Sequence, residues 1–89
     1  MIEEQIEVIN KLGLHARAAA KLVKLTAGFK SSIKLDKSGT TVDAKSIMGI
    51  MMLAASQGTV LTITADGEDC EQAVTEIREM FANCFDEGE

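Results

Sequence analysis

The only histidine of the sequence, His15, lies where a turn meets an alanine-rich helical pattern. Gly13 favours the turn and the pattern begins at Ala16, so we expect the imidazole at a helix N-terminus. Unpaired amides and partial positive charge at such an end disfavour imidazolium and favour a neutral, nucleophilic ring. The amides of Ala16, Arg17 and Ala18 could bind the oxygens of a phosphoryl group on that ring, assisted by the Arg17 guanidinium. Position alone, however, also fits a capping or surface histidine.

A second candidate is the hydroxyl of Ser46, which we expect to cap a short helix running from Ile47 to Leu53. A helix of two turns is marginal alone, so Ile50 and Leu53 should hold it to the core. Three other apolar side chains cannot all fit inside and predict an exposed patch: Ile47, Met48 and Met51. For Met52 the sequence leaves core filling and exposure open.

Basic residues follow His15 at helical spacing, at Arg17, Lys21 and Lys24. A solvated face is the ordinary interpretation of such a stripe, but this one begins beside the candidate nucleophile, so it also fits a docking surface for acidic partners. We predict one interface that joins the stripe to the apolar patch, made of Ala16, Arg17, Ala20, Lys21, Lys24, Lys45, Ile47, Met48 and Met51.

Two segments, Gly13 to Arg17 and Lys45 to Gly49, together closely resemble HPr proteins, the histidine phosphocarriers of the phosphoenolpyruvate-dependent phosphotransferase system. The resemblance implies that His15 takes a phosphoryl group from enzyme I on its Nδ1 atom and passes it to enzyme IIA proteins, while Arg17 steadies the phosphate. It also implies a regulatory phosphate on Ser46 in organisms that have HPr kinase/phosphorylase. Alanine stands at position 18, where the family usually has proline.

The turn before His15, residues 10 to 13, resembles the nitrogen-related branch of the family, so the phosphotransfer chain that it serves stays open. We expect a phosphoryl carrier rather than an independent catalyst. Two alternatives remain: a purely regulatory binding module that acts through Ser46 and the apolar patch, and a small-molecule-binding domain of ferredoxin-like topology. The retained His15 argues against the first, and the lack of a glycine-rich phosphate loop argues against the second.

Composition limits the possible classes of function. The 89 residues suffice for one domain, 1–89, that folds without a metal or a disulfide. The net charge is −5, with eight basic against five acidic residues in 1–57 and one against nine in 58–89. Three phenylalanines, no tyrosine and no tryptophan do not suit nucleic-acid binding. We expect no cofactor, no metal site, no membrane insertion, a cytoplasmic location and a monomer.

Hydrophobic periodicity predicts the order strand, helix, strand, strand, short helix, strand, helix. We therefore predict an α+β open-faced β-sandwich (βαββαβα), in which three helices cover one face of a four-stranded antiparallel sheet, as the HPr resemblance implies. Asp69 and Gln72 resemble a capping box at the start of the last helix. The apolar stripe of that helix continues to Cys84 and Phe85, and an acidic tail, residues 86–89, should follow.

Overall fold

The computed structural model describes residues 1–86, which contain the seven predicted elements in the predicted order. They are β1 (Ile2–Glu7), α1 (Ala16–Thr26), β2 (Ser32–Lys37), β3 (Thr40–Asp43), α2 (Ile47–Met52), β4 (Val60–Asp66) and α3 (Cys70–Ala82). Within these described residues, no helix has the length and apolar character needed to cross a membrane. The predicted acidic tail, apart from Asp86, lies outside them.

The four strands form one antiparallel sheet in the order β1-β4-β2-β3. Apolar side chains alternate with polar ones along each inner strand, so one face is buried and the other is open to solvent. Ile6 lies opposite Leu61, and Leu35 lies opposite Ile63, all on the buried face. The three helices cover that face, which confirms the predicted open-faced sandwich. β4 is an inner strand of the sheet, between β1 and β2.

The last helix is shorter than its apolar stripe predicts. α3 ends at Ala82, and the next turn, Cys84–Asp86, has left-handed φ angles of 52°, 56° and 62°. Left-handed backbone is costly for residues other than glycine, but this turn folds the Phe85 ring against Phe81, with centroids 4.8 Å apart. Phe85 is fully buried there. The prediction that the last helix continues to Cys84 and Phe85 was therefore wrong. The thiols of Cys70, at the start of α3, and of Cys84 are both free.

The predicted capping box at α3 was also wrong. Asp69 occupies the N-cap position but makes no side-chain capping bond, and Gln72 donates to Glu76 instead. The Asp69 carboxylate accepts hydrogen bonds from the amides of Lys30 and Ser31, at 2.8 and 3.0 Å, and from the Ser31 hydroxyl. The side chain therefore ties the start of α3 to the α1–β2 connection rather than to its own helix.

Because these hydrogen bonds need an ionised carboxylate, we expect their contribution to the free energy of unfolding to be lost in acid. The Ser31 hydroxyl first, and then the Lys30 amide, hold the pKa of the Asp69 carboxyl below its usual 3.8. A lowered pKa means that Asp69 stabilises the fold above about pH 4 and that this contribution is lost as the pH falls through the folded-state pKa. We expect Asp69→Asn to lower stability at pH 7 and to differ less from wild type at pH 3, as measured by urea unfolding. A difference that stayed constant with pH would contradict the assignment.

Candidate functional site

His15 is the N-cap residue of α1, as predicted. Its backbone is extended, with φ −74° and ψ 178°, and its carbonyl accepts the first helical bond from the Ala19 amide at 2.8 Å. The ring caps the helix itself, because its Nδ1 atom accepts a hydrogen bond from the Arg17 amide at 3.2 Å. The imidazole is half-buried, so it is held in place but still reachable from solvent.

The capping bond distinguishes the two ring nitrogens. A nitrogen that accepts a hydrogen bond has its lone pair in the ring plane, so in the neutral ring the proton lies on Nε2. In the neutral ring, Nδ1 is therefore the nitrogen with the free electron pair, which points to the first turn of α1. The same Arg17 amide that binds Nδ1 is one of the donors predicted to bind a phosphoryl group.

The first turn of α1 contains the other predicted anion donors. Ala16 and Ala18 are the first and third helical residues, where backbone amides have no partner within the helix. Ala16 and Arg17 are exposed, whereas the Ala18 side chain is fully buried. The residue at the family's proline position thus packs its methyl group into the core and keeps an N–H at the helix start.

The loop that leads to His15 is fixed against the segment after α2. Gly13 has φ +67°, and a Cβ built on it would lie 2.4 Å from the Ala55 carbonyl oxygen, so only glycine fits. The next amide, that of Leu14, donates to the same oxygen at 2.9 Å. The sequence predicted a turn here but not its anchor, because a backbone contact with a distant loop leaves no signal in the sequence.

Ser46 is the N-cap residue of α2, also as predicted. Its Oγ atom accepts a hydrogen bond from the Gly49 amide at 3.0 Å, and Ile50 and Leu53 anchor the short helix in the core. α2 packs against α1, so the hydroxyl and His15 belong to neighbouring helices on one side of the sheet. Ser46 is half-buried.

The predicted apolar patch on α2 is exposed. Met48 is 76% accessible, and Ile47 and Met51 are also exposed. Met52, which the sequence left open, is 75% accessible and does not fill the core. An exposed group of large apolar side chains, here on the helix that packs against α1, is typical of a protein contact surface.

Two lysines of the predicted interface have roles within the fold. The ammonium of Lys21 donates to the Phe85 carbonyl at 2.7 Å, and that of Lys45 donates to the Phe29 carbonyl at 2.7 Å. Both side chains are half-buried, whereas Ala20 and Lys24 are exposed. The stripe is thus only in part a solvated face, because the charge of Lys21 also holds two chain segments together. Lys45 lies outside the stripe and has the same kind of role just before α2.

Comparison with known proteins agrees with this geometry. The sequence model of a family described as "PTS HPr component phosphorylation site" matches residues 2–83. A protein of Xylella fastidiosa named phosphocarrier protein HPr is 53% identical over 98% of both chains, and one of Cupriavidus necator is 49% identical over the full length of both. The crystal structure of an HPr from Thermoanaerobacter tengcongensis superposes with a TM-score of 0.94 at 45% identity, covering 98% of each chain.

Proposed function

Because the chain belongs to the HPr family of phosphocarriers in the phosphoenolpyruvate-dependent phosphotransferase system, we propose that His15 accepts a phosphoryl group from enzyme I and passes it to enzyme IIA-type proteins. The observation that supports this most directly is the Nδ1 lone pair at the N-terminus of α1. The site combines a nucleophile with amide donors that can bind the group it receives.

For phosphoryl transfer, Nδ1 of His15 must give up the Arg17 amide as its partner and bind phosphorus instead. The Nδ1 lone pair forms the new nitrogen–phosphorus bond, while the bond from phosphorus to the donor breaks and its electron pair returns to the donor. The hydrogen bond from the Arg17 amide must break in this step, because it uses the same lone pair. The released N–H can then donate to a phosphoryl oxygen, so the helix start binds the product with the group that capped the free ring.

Incubation with phosphoenolpyruvate and catalytic enzyme I tests this function. We expect one phosphoryl group per chain, labile in acid and stable in base as for a phosphohistidine, and transferable to an enzyme IIA protein. The two alternative classes, a regulatory module and a small-molecule-binding domain, predict no such label.

Arg17 should speed transfer through its guanidinium. Arg17 is the second residue of α1, two positions after His15, so we expect its delocalised cation to reach the transferring group. Hydrogen bonds to charged groups contribute about 1.5–3 kcal/mol. We expect Arg17→Ala to slow transfer from enzyme I by about 10- to 100-fold while the fold is retained. Lys34→Ala, which removes an exposed cation of β2 outside the predicted interface, is the matched control. Equal rates for the two variants would exclude this role.

We propose that acidic partners dock on the predicted interface, with its apolar centre at Met48. Met48→Asp places a carboxylate in that centre and near the N-terminus of α2, so it should weaken enzyme I binding without unfolding the helix. Losing a central contact costs about 2 kcal/mol or more, about 30-fold in Kd. The same change at Met52, equally exposed but at the other end of α2, should cost less. Binding titrations at low and high salt measure the Kd of both variants for enzyme I. An equal loss of affinity in the two variants would show that Met48 is not the centre of the interface.

The regulatory use of Ser46 is a second proposal, favoured by its hydroxyl at the α2 N-cap beside the apolar patch. In an organism with HPr kinase/phosphorylase, this hydroxyl is the expected target. We also propose that the protein acts as a single cytoplasmic domain and as a monomer, which sedimentation and cell fractionation would test.

A further inference from the structure

Asn10 is a buried polar residue in the loop between β1 and α1. Its side chain is only 1% accessible. Its Nδ2 atom donates to the Gly13 carbonyl at 2.7 Å, and its own carbonyl accepts from the Gly13 amide at 3.2 Å. Asn10 therefore holds both polar groups of the residue that determines the turn before His15.

The two sides of this loop are held by different parts of the chain. The segment after α2 holds the outgoing side, since the Leu14 amide donates to the Ala55 carbonyl. The Asn10 carboxamide holds the Gly13 carbonyl, which belongs to the peptide that joins Gly13 to Leu14. The orientation of that peptide sets the path of the chain into His15, whose ring must meet the first turn of α1.

The other side-chain atom of Asn10 argues for a role beyond stability. Its Oδ1 atom is buried and has no hydrogen-bond partner among the described residues. A buried acceptor without a partner is destabilising, and a smaller apolar residue would remove that penalty. Reversing the amide would not help, because Oδ1 would then face the Gly13 carbonyl oxygen. The position thus carries a costly oxygen together with a donor that is bound to the Gly13 carbonyl.

We infer that Asn10 is a positioning residue for phosphoryl transfer: its N–H donor fixes the Gly13–Leu14 peptide so that Nδ1 of His15 lies against the Arg17 amide. This inference rests on the proposed function of His15. Asn10 restrains the approach to the helix from the loop side. On the helix side of His15, the first turn of α1 contains Ala18, and alanine restrains the backbone dihedral angles less than proline would.

Asn10→Ala tests the inference, with Ser31→Ala as the matched control. Ser31 is also 1% accessible and hydrogen-bonded, but it lies at the opposite end of β4. In Asn10→Ala we expect the kcat of enzyme I for this protein to fall about 10- to 100-fold. KM should stay within about twofold, because the docking surface is unchanged. Ser31→Ala should leave both constants near wild type even where it lowers stability more.

A second readout does not depend on phosphoryl transfer. Amide hydrogen exchange at Arg17 reports its bond to His15 Nδ1, and we expect faster exchange in Asn10→Ala but not in Ser31→Ala. If wild type takes no label, the proposed function fails while the exchange result still decides the positioning role. Unchanged exchange and unchanged kcat in Asn10→Ala, or an equal loss of kcat in Ser31→Ala, would overturn the inference. Should Asn10→Ala fail to fold, Asn10→Ser, whose donor is one atom too short, provides the same comparison.

Discussion

Replacing His15 with alanine should eliminate phosphoryl acceptance from enzyme I, leaving no acid-labile label on the protein. The chain has one histidine, so no other imidazole can take over the nucleophilic step. Loss of the N-cap acceptor should cost only about 1 kcal/mol of stability, since one capping bond to the Arg17 amide is removed. Phosphate release on mild acid treatment, with circular dichroism as a check on folding, measures both effects.

His15→Asn is the sharper form of this experiment. Asparagine is among the best N-cap residues, so its side-chain oxygen can accept from the first turn of α1 while offering no nucleophilic nitrogen. We expect this variant to be as stable as wild type and equally unlabelled. A label that persisted in either variant would place the phosphoryl group on another residue and refute the proposed function.

Placing a negative charge at Ser46 should slow His15 labelling by about tenfold at low salt and by less at high salt. Ser46→Asp keeps a good N-cap acceptor for the Gly49 amide and adds a charge where the helix dipole favours it. α2 should therefore stay folded. The added anion lies beside Ile47 and Met48, which form the proposed docking patch, so the effect should fall on association with enzyme I.

Ser46→Asn separates charge from capping. It keeps the capping acceptor without the charge, so its transfer rate and stability should match wild type. Ser46→Ala should lose about 1 kcal/mol of stability but transfer normally, because it lacks the cap and also lacks the charge. If Ser46→Asp labels at the wild-type rate, a regulatory effect through electrostatics is excluded and the serine remains a helix cap.

The sequence predicts those parts of the fold that depend on local periodicity. Alternating apolar residues identify β1 and β2, and Ser46 with Ile50 identifies α2, because these signals need no knowledge of distant partners. Side chains with distant partners are harder to predict. Asp69 has the sequence of a capping residue, yet its carboxylate binds Ser31 across the molecule. Phe85 continues a helical period, yet it packs on Phe81 only after the chain leaves the helix.

The same division applies to the candidate site. The position of His15 at a helix start follows from glycine and the alanine run around it, and the structure confirms it. The bonds of Lys21 and Lys45 to distant carbonyls were not predictable, because nothing in the local sequence shows which carbonyl a lysine ammonium will bind. The sequence around Asn10 predicts only a turn. It does not show that the Asn10 side chain is buried, because that depends on contacts with distant parts of the chain.

The strand order has a consequence for how the protein is made on the ribosome. β1 is synthesised first, but it hydrogen-bonds to β4, with Ile2 opposite Ala65, so its partner is among the last segments to emerge. The β2–β3 hairpin can pair early, whereas the sheet cannot close until β4 inserts between β1 and β2. The sheet is therefore completed only after β4 has been synthesised, and a nascent chain that stops before Val60 leaves β1 unpaired and open to chaperones or proteases.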